Sequence, residues 1–471
     1  MRTIRMLLLS LLAGVPAGAE EFIKLKLSPE WSFYSAPVET FDEAEPAKLT
    51  SAPETFGAAK RETVTFRDGR FRRTGRPGKV PAVVVNEFTS DTAGWMLLHC
   101  GAAFYRMKVA LNGKELLHDR TSNSRSRFGI PGTHDVPLPV KKGRNVLAIA
   151  FLGPELAVGE GDPAIWRATL PTRENFARIR YAEPGTYDRE VEETIIRNGV
   201  DRIPAPEFGK FRKQAEMNAA RREKWYRQYP VLELYDRAID KLLREIPATK
   251  VERGIVVWHL YNMGHVIKTP ECCFGIDIYH RQAVKLVPLL DFALVSHNHG
   301  DHYDPVFCDA MTAAGKPVIA NFLPKGAEKN PPAGRKIKDV TLEFEKADHN
   351  ESLPDFIMCS RITCGRGPHA PVIYQTGDSC NAKQLHPSGP IDIHILHPRV
   401  GLSVPEAAEL LHPREIWFSH LHEMGHCIPS PWRPVDFVEV GWDKEQIEKR
   451  GDKVLCRYPI WGEKFVIDYD E

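Results

Sequence analysis

Apolar positions change their spacing twice along the chain. From residue 20 to about 185 they come in short runs rich in β-branched and aromatic residues, at 82–88, 94–100 and 105–111. Runs of that length and content predict strands. Leu111-Asn112-Gly113-Lys114 predicts a hairpin, because Asn-Gly accepts the positive φ angles of a type I′ turn. The polar stretch 141–145 predicts a second turn, feeding an apolar strand at 146–151. Strands at this spacing predict an all-β sandwich over 20–185. Between 186 and 250 the period becomes helical. Segments 188–198 and 211–229 are rich in Glu, Arg, Lys and Ala, and 231–246 carries Leu232, Leu234, Ile239, Leu242, Leu243 and Ile246 on one face. Pro204 and Pro206 interrupt the pattern, so the segment reads as a helical connector. From 251 to 471 strands and helices alternate. Strands are expected at 255–261, 265–268, 274–278, 292–296, 318–321, 355–363, 371–376, 391–396 and 415–419, and helices at 283–290, 404–411 and 443–450. That order belongs to α/β sheets covered by helices.

The first residues follow a different logic. Arg2 and Arg5 precede a short apolar run at 6–15, and Pro16-Ala17-Gly18-Ala19 supplies small residues before Glu20. This is the layout of a secretory signal peptide over 1–19, so the mature protein is expected to be exported, periplasmic or secreted. The run is too short to span a bilayer, and no later segment is long and apolar enough to do so. Lys+Arg number 63 and Asp+Glu 62, which leaves no net field to draw in nucleic acid or an anionic membrane. Of nine cysteines, eight follow residue 270, and their spacing is not that of a zinc ribbon. Export permits disulfides, and the odd count leaves one thiol over.

The strand DFALV runs into Ser296-His297-Asn298-His299-Gly300-Asp301-His302. A loop on a rigid strand is a common place for functional groups. Imidazole and carboxylate together suit zinc and similar divalent ions. His297 and His299 are two apart and project to one side of an extended loop, while Asp301 and His302 can face a second ion. Two ions about 3.5–4 Å apart act together on one substrate.

This motif, placed after an apolar strand, resembles the signature of the metallo-β-lactamase superfamily, and the resemblance extends over most of residues 251–471. It implies an αββα sandwich and a fixed chain order for the remaining ligands. His349 in EKADHNES, Asp378 in VIYQTGDS and His420 in EIWFSHLHE fit that order. The resemblance then implies a first ion on His297, His299 and His349, a second on Asp301, His302 and His420, and Asp378 between them. Asp277 in FGIDI matches the strand-end Asp that supports the histidine loop in such proteins. The expected cofactors are two divalent ions, zinc with manganese as the alternative, and Asp301, Asp378 and His420 are the expected catalytic groups. The branch that looks nearest is the ascorbate-phosphate lactonase-like and N-acyl-phosphatidylethanolamine phospholipase D-like one; the β region, the connector and the segment after His420 depart from it. Residues 94–151, with KVALNGKEL and VPLPVKKGRNVLAIAF, resemble galactose-binding-like jelly-roll modules. That implies glycan contact, against the plainer reading of a structural sandwich.

Other histidines compete for attention. His422-Glu423-Met424-Gly425-His426 matches H-E-x-x-H, which needs a helix to act as a zinc-protease motif. A strand before it and Pro429 after it leave room for a short helix only, so Glu423 and His426 are expected at the rim of the site, and His422 rivals His420 as last ligand. His259, His265, His280, His394 and His397 are expected as core or surface residues, with His265 and His397 the two able to face the cleft; Cys380 is expected to be structural. The expected function is an exported dinuclear hydrolase using a metal-bridging hydroxide on an ester, lactone or phosphodiester of small-molecule or glycan-derived origin. The alternatives are a glycan-binding protein with a structural metal site, and a nuclease of the same superfamily.

Overall fold

The computed structural model describes residues 22–24, 26–73, 80–102, 107–119, 133–322, 334–427, 435, 437–451 and 453–469; the expected signal peptide, the first two residues of the strand expected at 105–111, and Pro429 lie outside them. The chain divides into two units, residues 1–168 and 169–471.

The first unit holds a small two-stranded sheet, Thr55–Phe56 with Ala59–Lys60, and two large antiparallel ones. One has six strands in the order Glu62–Thr65, Glu30–Ser35, Ala82–Ser90, Gly143–Phe151, Met107–Leu111, Lys114–Asp119; the other has four, Thr133–Val140, Gly94–Ala102, Glu155–Glu160, Arg70–Arg72. Residues from both sheets, among them Trp31, Val84, Leu98, Leu138, Ile149 and Leu156, share one apolar core, as in a sandwich. Asn112 (φ 51°) and Gly113 (φ 80°) form the expected hairpin turn.

Helices begin earlier than the sequence pattern suggests. Segments Pro163–Thr169 and Arg173–Ala177, expected inside the β region, are helical. Asp162 accepts from Ala164 N and Thr172 from Asn175 N, so local caps start them where no apolar period is long enough to show. The single helix expected at 211–229 is two, Ala205–Arg212 and Ala219–Gln228, because the Asn218 side chain accepts from Arg221 N and starts a new one. Helix Val231–Ala248 buries the expected face and joins Phe176, Ile195 and Phe211 in a core shared with Trp258 and Tyr261. The buried Arg189 guanidinium donates to Glu463 at 2.9 and 3.0 Å. The residues read as a connector are thus integral to the second unit.

Two mixed sheets form its centre. The six-stranded one runs Val318–Ile319, Phe292–Leu294, Cys273–Ile276, His265–Lys268, Ile255–His259, Lys464–Ile467; the seven-stranded one runs Arg335–Ile337, Val340–Ala347, Ile357–Cys364, Val372–Gln375, Ile393–Leu396, Glu415–Phe418, Leu455–Arg457. Ile255, Val257, Phe274 and Leu294 of the first meet Leu342, Ile362, Ile373 and Trp417 of the second in a closed core. The alternate residues Val256, Trp258, Tyr374 and Ile416 face the other way into a core with the helices. That is an αββα layering. All nine cysteines are free thiols, eight of them buried. Among the described residues no helix is long and apolar enough to cross a membrane.

His280 stacks on Tyr235 with its Nε2 3.1 Å from the Tyr235 carbonyl, and burial pushes its pKa down to about 3. Burial does the same to His394, also to about 3. Unfolded, each would titrate near 6.5. Above pH 6.5 both are neutral in either state and stability is full. As pH falls from about 6.5 towards about 3 the unfolded chain takes up protons that the folded chain refuses, so each is expected to cost up to about 1.4 kcal/mol per pH unit. Urea unfolding across that range should show the decline, with a shallower slope for His280→Gln.

Candidate metal centre

The site grows from strand ends that share a direction. Within the seven-stranded sheet, Val372–Gln375, Ile393–Leu396 and Glu415–Phe418 are parallel neighbours, and Val340–Ala347 runs the same way two strands over. Asp378, His397, His420 and His349 each follow the C-terminal end of one of them. In the other sheet Asn262, Asp277 and His297 likewise follow Ile255–His259, Cys273–Ile276 and Phe292–Leu294. Crevices beyond the carboxyl ends of parallel strands are the usual place for ligands in α/β sheets.

Asp277 organises the histidine loop. Its buried carboxylate accepts from Ser296 N at 2.7 Å, Ser296 Oγ at 2.7 Å, His302 Nδ1 at 3.0 Å and Gln375 Nε2 at 3.2 Å. With Nδ1 committed to Asp277, His302 turns Nε2 into the site.

All seven residues singled out in the sequence converge there. The ligand-capable atoms of His297, His299, His349 and Asp378 lie within 4.8 Å of one another, and so do those of Asp301, His302 and His420. Asp378 stands between the two groups. Its Oδ2 is 3.9 Å from His297 Nε2 and 3.6 Å from His349 Nε2, and its Oδ1 is 3.2 Å from His302 Nε2. Asp301 Oδ2 is 2.8 Å from His420 Nε2 and 3.5 Å from His302 Nε2. Asn262 Nδ2 lies 3.0 Å from His420 Nε2.

His397 also faces the cluster, with Nδ1 3.2 Å from Asp378 Oδ1 and its ring parallel to that of His420 at 3.9 Å. The sequence signal for it was its place at the end of an apolar strand, at 391–396. His265 does not join them; its Nδ1 donates to Met263 O. His422 is buried outside the cluster, its backbone N–H bonded to Val435 O, and Cys380 ties back to Asp348 O through its own N–H. In H-E-x-x-H only Met424–His426 forms a single 3-10 turn, so the two histidines do not share a helix face. Glu423 instead reaches His426 Nδ1 at 2.7 Å and His420 Nδ1 at 3.7 Å.

Charge and backbone strain concentrate at the same place. Burial works to raise Asp301 and Asp378, but the neighbouring imidazoles, His302 foremost, hold both carboxyls below the usual range. Burial opposes charge on His302 and His420 too, and the two carboxylates raise both above an ordinary histidine. His297 and His299 are pushed down chiefly by burial, and His397 falls to about 4 for the same reason. Asn262, Asp277, His420 and His422 all adopt left-handed backbone, with φ between 45° and 62°. Such strain costs side-chain-bearing residues free energy and gathers at functional sites.

The donor set fits divalent ions. His297 Nε2, His302 Nε2, His397 Nδ1 and Asp378 Oδ1 are buried without hydrogen-bond partners, a costly state for a polar atom unless a cation takes its lone pair. Imidazole and carboxylate are the ligands zinc and its neighbours accept.

No family model and no curated protein matches the chain. It is similar in structure to a metallo hydrolase from Ignicoccus hospitalis, at 15% identity over 46% of this chain and 99% of that one, with a TM-score of 0.35. It is also similar to a Thermotoga maritima protein assigned as a zinc-dependent hydrolase of the metallo-β-lactamase superfamily (12% identity, 44% and 100% coverage, TM-score 0.27). A third likeness is to a diiron β-hydroxylase from Streptomyces venezuelae (12% identity, 46% and 55% coverage, TM-score 0.33). The chemistry of this site therefore rests on its own side chains.

Gly377 (φ 49°) lets the turn bearing Asp378 close against the histidine loop; a Cβ there would stand 3.0 Å from both Cβ and Oγ of Ser296. Gly377→Ala is expected to cost about 2 kcal/mol or more, from strain plus crowding. Gly315→Ala, at φ 70° with nothing within 4 Å, carries the strain alone and should cost less in the same thermal unfolding assay.

Proposed function

We propose that this chain is an exported, dinuclear metal-dependent hydrolase acting on an ester, lactone or phosphodiester. The observation that carries the reading is the convergence of His297, His299, His349, Asp301, His302 and His420 around Asp378, with several of their buried polar atoms unpaired. In this reading the first three histidines hold one ion, Asp301, His302 and His420 hold the other, and Asp378 is shared. Zinc suits the ligand set and manganese is the alternative. Ions bound there would supply a hydroxide nucleophile near neutral pH and polarise the oxygen under attack.

The protein's own groups do the rest. Asp277 fixes His302 and the loop that carries His297 and His299. Asp378, almost fully buried, keeps a carboxylate at the centre of the cluster and accepts a proton during attack. His426 is more exposed, at 28%, and its Nδ1 is engaged by Glu423, so its Nε2 is the one able to pass a proton to the leaving group at the rim. Export rests on the segment 1–19, and a mature chain beginning at Glu20 is the form expected in the periplasm or medium.

Metal content and turnover, measured together on the mature protein against lactones, phosphodiesters and β-lactams, test this. About two ions per chain are expected, with hydrolysis reduced on the order of 100-fold or more in Asp301→Ala and Asp378→Ala. A folded protein that takes up no ion when Zn²⁺ or Mn²⁺ is supplied would sink the reading and leave the β-sandwich as the better guide. Asp277→Asn, which keeps its shape and gives up its charge, is expected to weaken metal binding about 10–100-fold by equilibrium dialysis.

A further inference from the structure

We propose that Arg212 and Tyr279 form a subsite for an anionic group of the substrate, a carboxylate or a phosphate, at the edge of the second ion position. This rests on the dinuclear reading above and narrows its substrate to one that carries such a group beside the bond cleaved.

The two side chains reach that edge from different elements. Tyr279 lies two residues past Asp277, and Asp304, which caps helix Pro305–Ala313, lies two past His302. Arg212 ends helix Ala205–Arg212, which packs on the turn Met424–His426. Phe208 of that helix meets Tyr261 at 5.8 Å, and the Tyr261 hydroxyl accepts from Met424 N at 2.8 Å. Tyr279 stacks on Tyr261 at 6.4 Å, and the Arg212 guanidinium sits over the Tyr279 ring, 4.3 Å from its centre. Asp301 and Glu423, the two carboxylates that flank His420, are among the charges that act on the Tyr279 hydroxyl.

The donors of this pair are unspent. Arg212 is 25% exposed, and its contact with Asp304 spans 3.9 Å, beyond hydrogen-bond length. Asp304 gives its other oxygen to Val306 N at 3.0 Å. A guanidinium has five N–H donors, and none of these five finds an acceptor among the described residues. The arginines that brace this unit behave otherwise. Arg281 donates to Asp236, Gln214 O and Ala215 O, and Arg189 to Glu193 and Glu463. The Tyr279 hydroxyl likewise bonds to no described residue, and neither group is sealed from solvent. Burial raises the Tyr279 pKa, so at neutral pH the hydroxyl keeps the proton it would donate. A planar guanidinium laid against an aromatic ring, with its donors open, matches the paired oxygens of a carboxylate or phosphate.

The test uses the full mature chain loaded with Zn²⁺, its metal content measured first. Dicarboxylates from malonate to adipate are titrated calorimetrically beside the monocarboxylates of the same length, and alkane diphosphonates beside alkyl phosphonates. One acid group of each probe can sit on the ions, and only the diacids have a second for Arg212. At least one diacid should bind about 10-fold or more tightly than its monoacid, and its acid group tells which anion the subsite takes. Arg212→Gln should bring that ratio below about 2-fold while keeping both ions and the monoacid affinity, and Tyr279→Phe should lower it by a smaller factor. A crystal structure of the wild type with the tightest diacid needs no variant and should place the second acid group within about 3.2 Å of Arg212. If a wild type with two ions prefers no diacid, if the bound diacid lies away from Arg212, or if either variant leaves the ratio unchanged, the inference is overturned while the dinuclear reading stands. A wild type that binds fewer than two ions overturns the dinuclear reading, and the inference with it.

Discussion

A single buried carboxylate holds the site together. Asp277 ends a strand of one sheet, takes both donors of Ser296 from the next strand of that sheet, takes Gln375 from the facing sheet, and orients His302. A charge in so dry a place is tolerable because four donors surround it. Remove it and the two sheets lose a shared fastening where ligand positions must hold to a fraction of an ångström. The left-handed backbone at Asp277 belongs to the same arrangement, because it turns the chain so that its side chain points back across the strand ends.

The topology explains why so many distant residues meet. Seven strands from two sheets deliver their C-terminal ends to one crevice, and each needs only a short extension to contribute a side chain. The helical segment before them shares a core with the outer face of one sheet, so the rigidity of the strand ends draws on residues that contribute nothing to the cluster itself.

Much of this was legible in the sequence, for local reasons. His297 to His302 form one short loop, and Gly377-Asp378 is a turn that needs its glycine, so both announce themselves. His349 and His420 became readable once chain order was known. His397 was harder, because a lone histidine after an apolar strand looks the same whether it faces a core or a crevice; only parallel pairing with the strands of Asp378 and His420 decides, and pairing is not local. The strand Val340–Ala347 was passed over although Val340, Leu342 and Phe344 alternate with polar residues, a period-2 signal diluted by its charges. H-E-x-x-H shows the opposite failure: the letters are right, and the backbone around them never forms the helix that gives the motif meaning.

The mutual neutralisation of the cluster has a further consequence. Asp301 and Asp378 lie against His302 and His420, so acids and bases in the crevice already balance one another. A zinc finger collapses without its ion because nothing else offsets its ligands. Here the scaffold carries its own counter-charges, and its cores are built from carbon rather than metal bonds. The counter-charges thus offset part of the cost of burying the cluster, and a cation would relieve the buried atoms that stay unpaired.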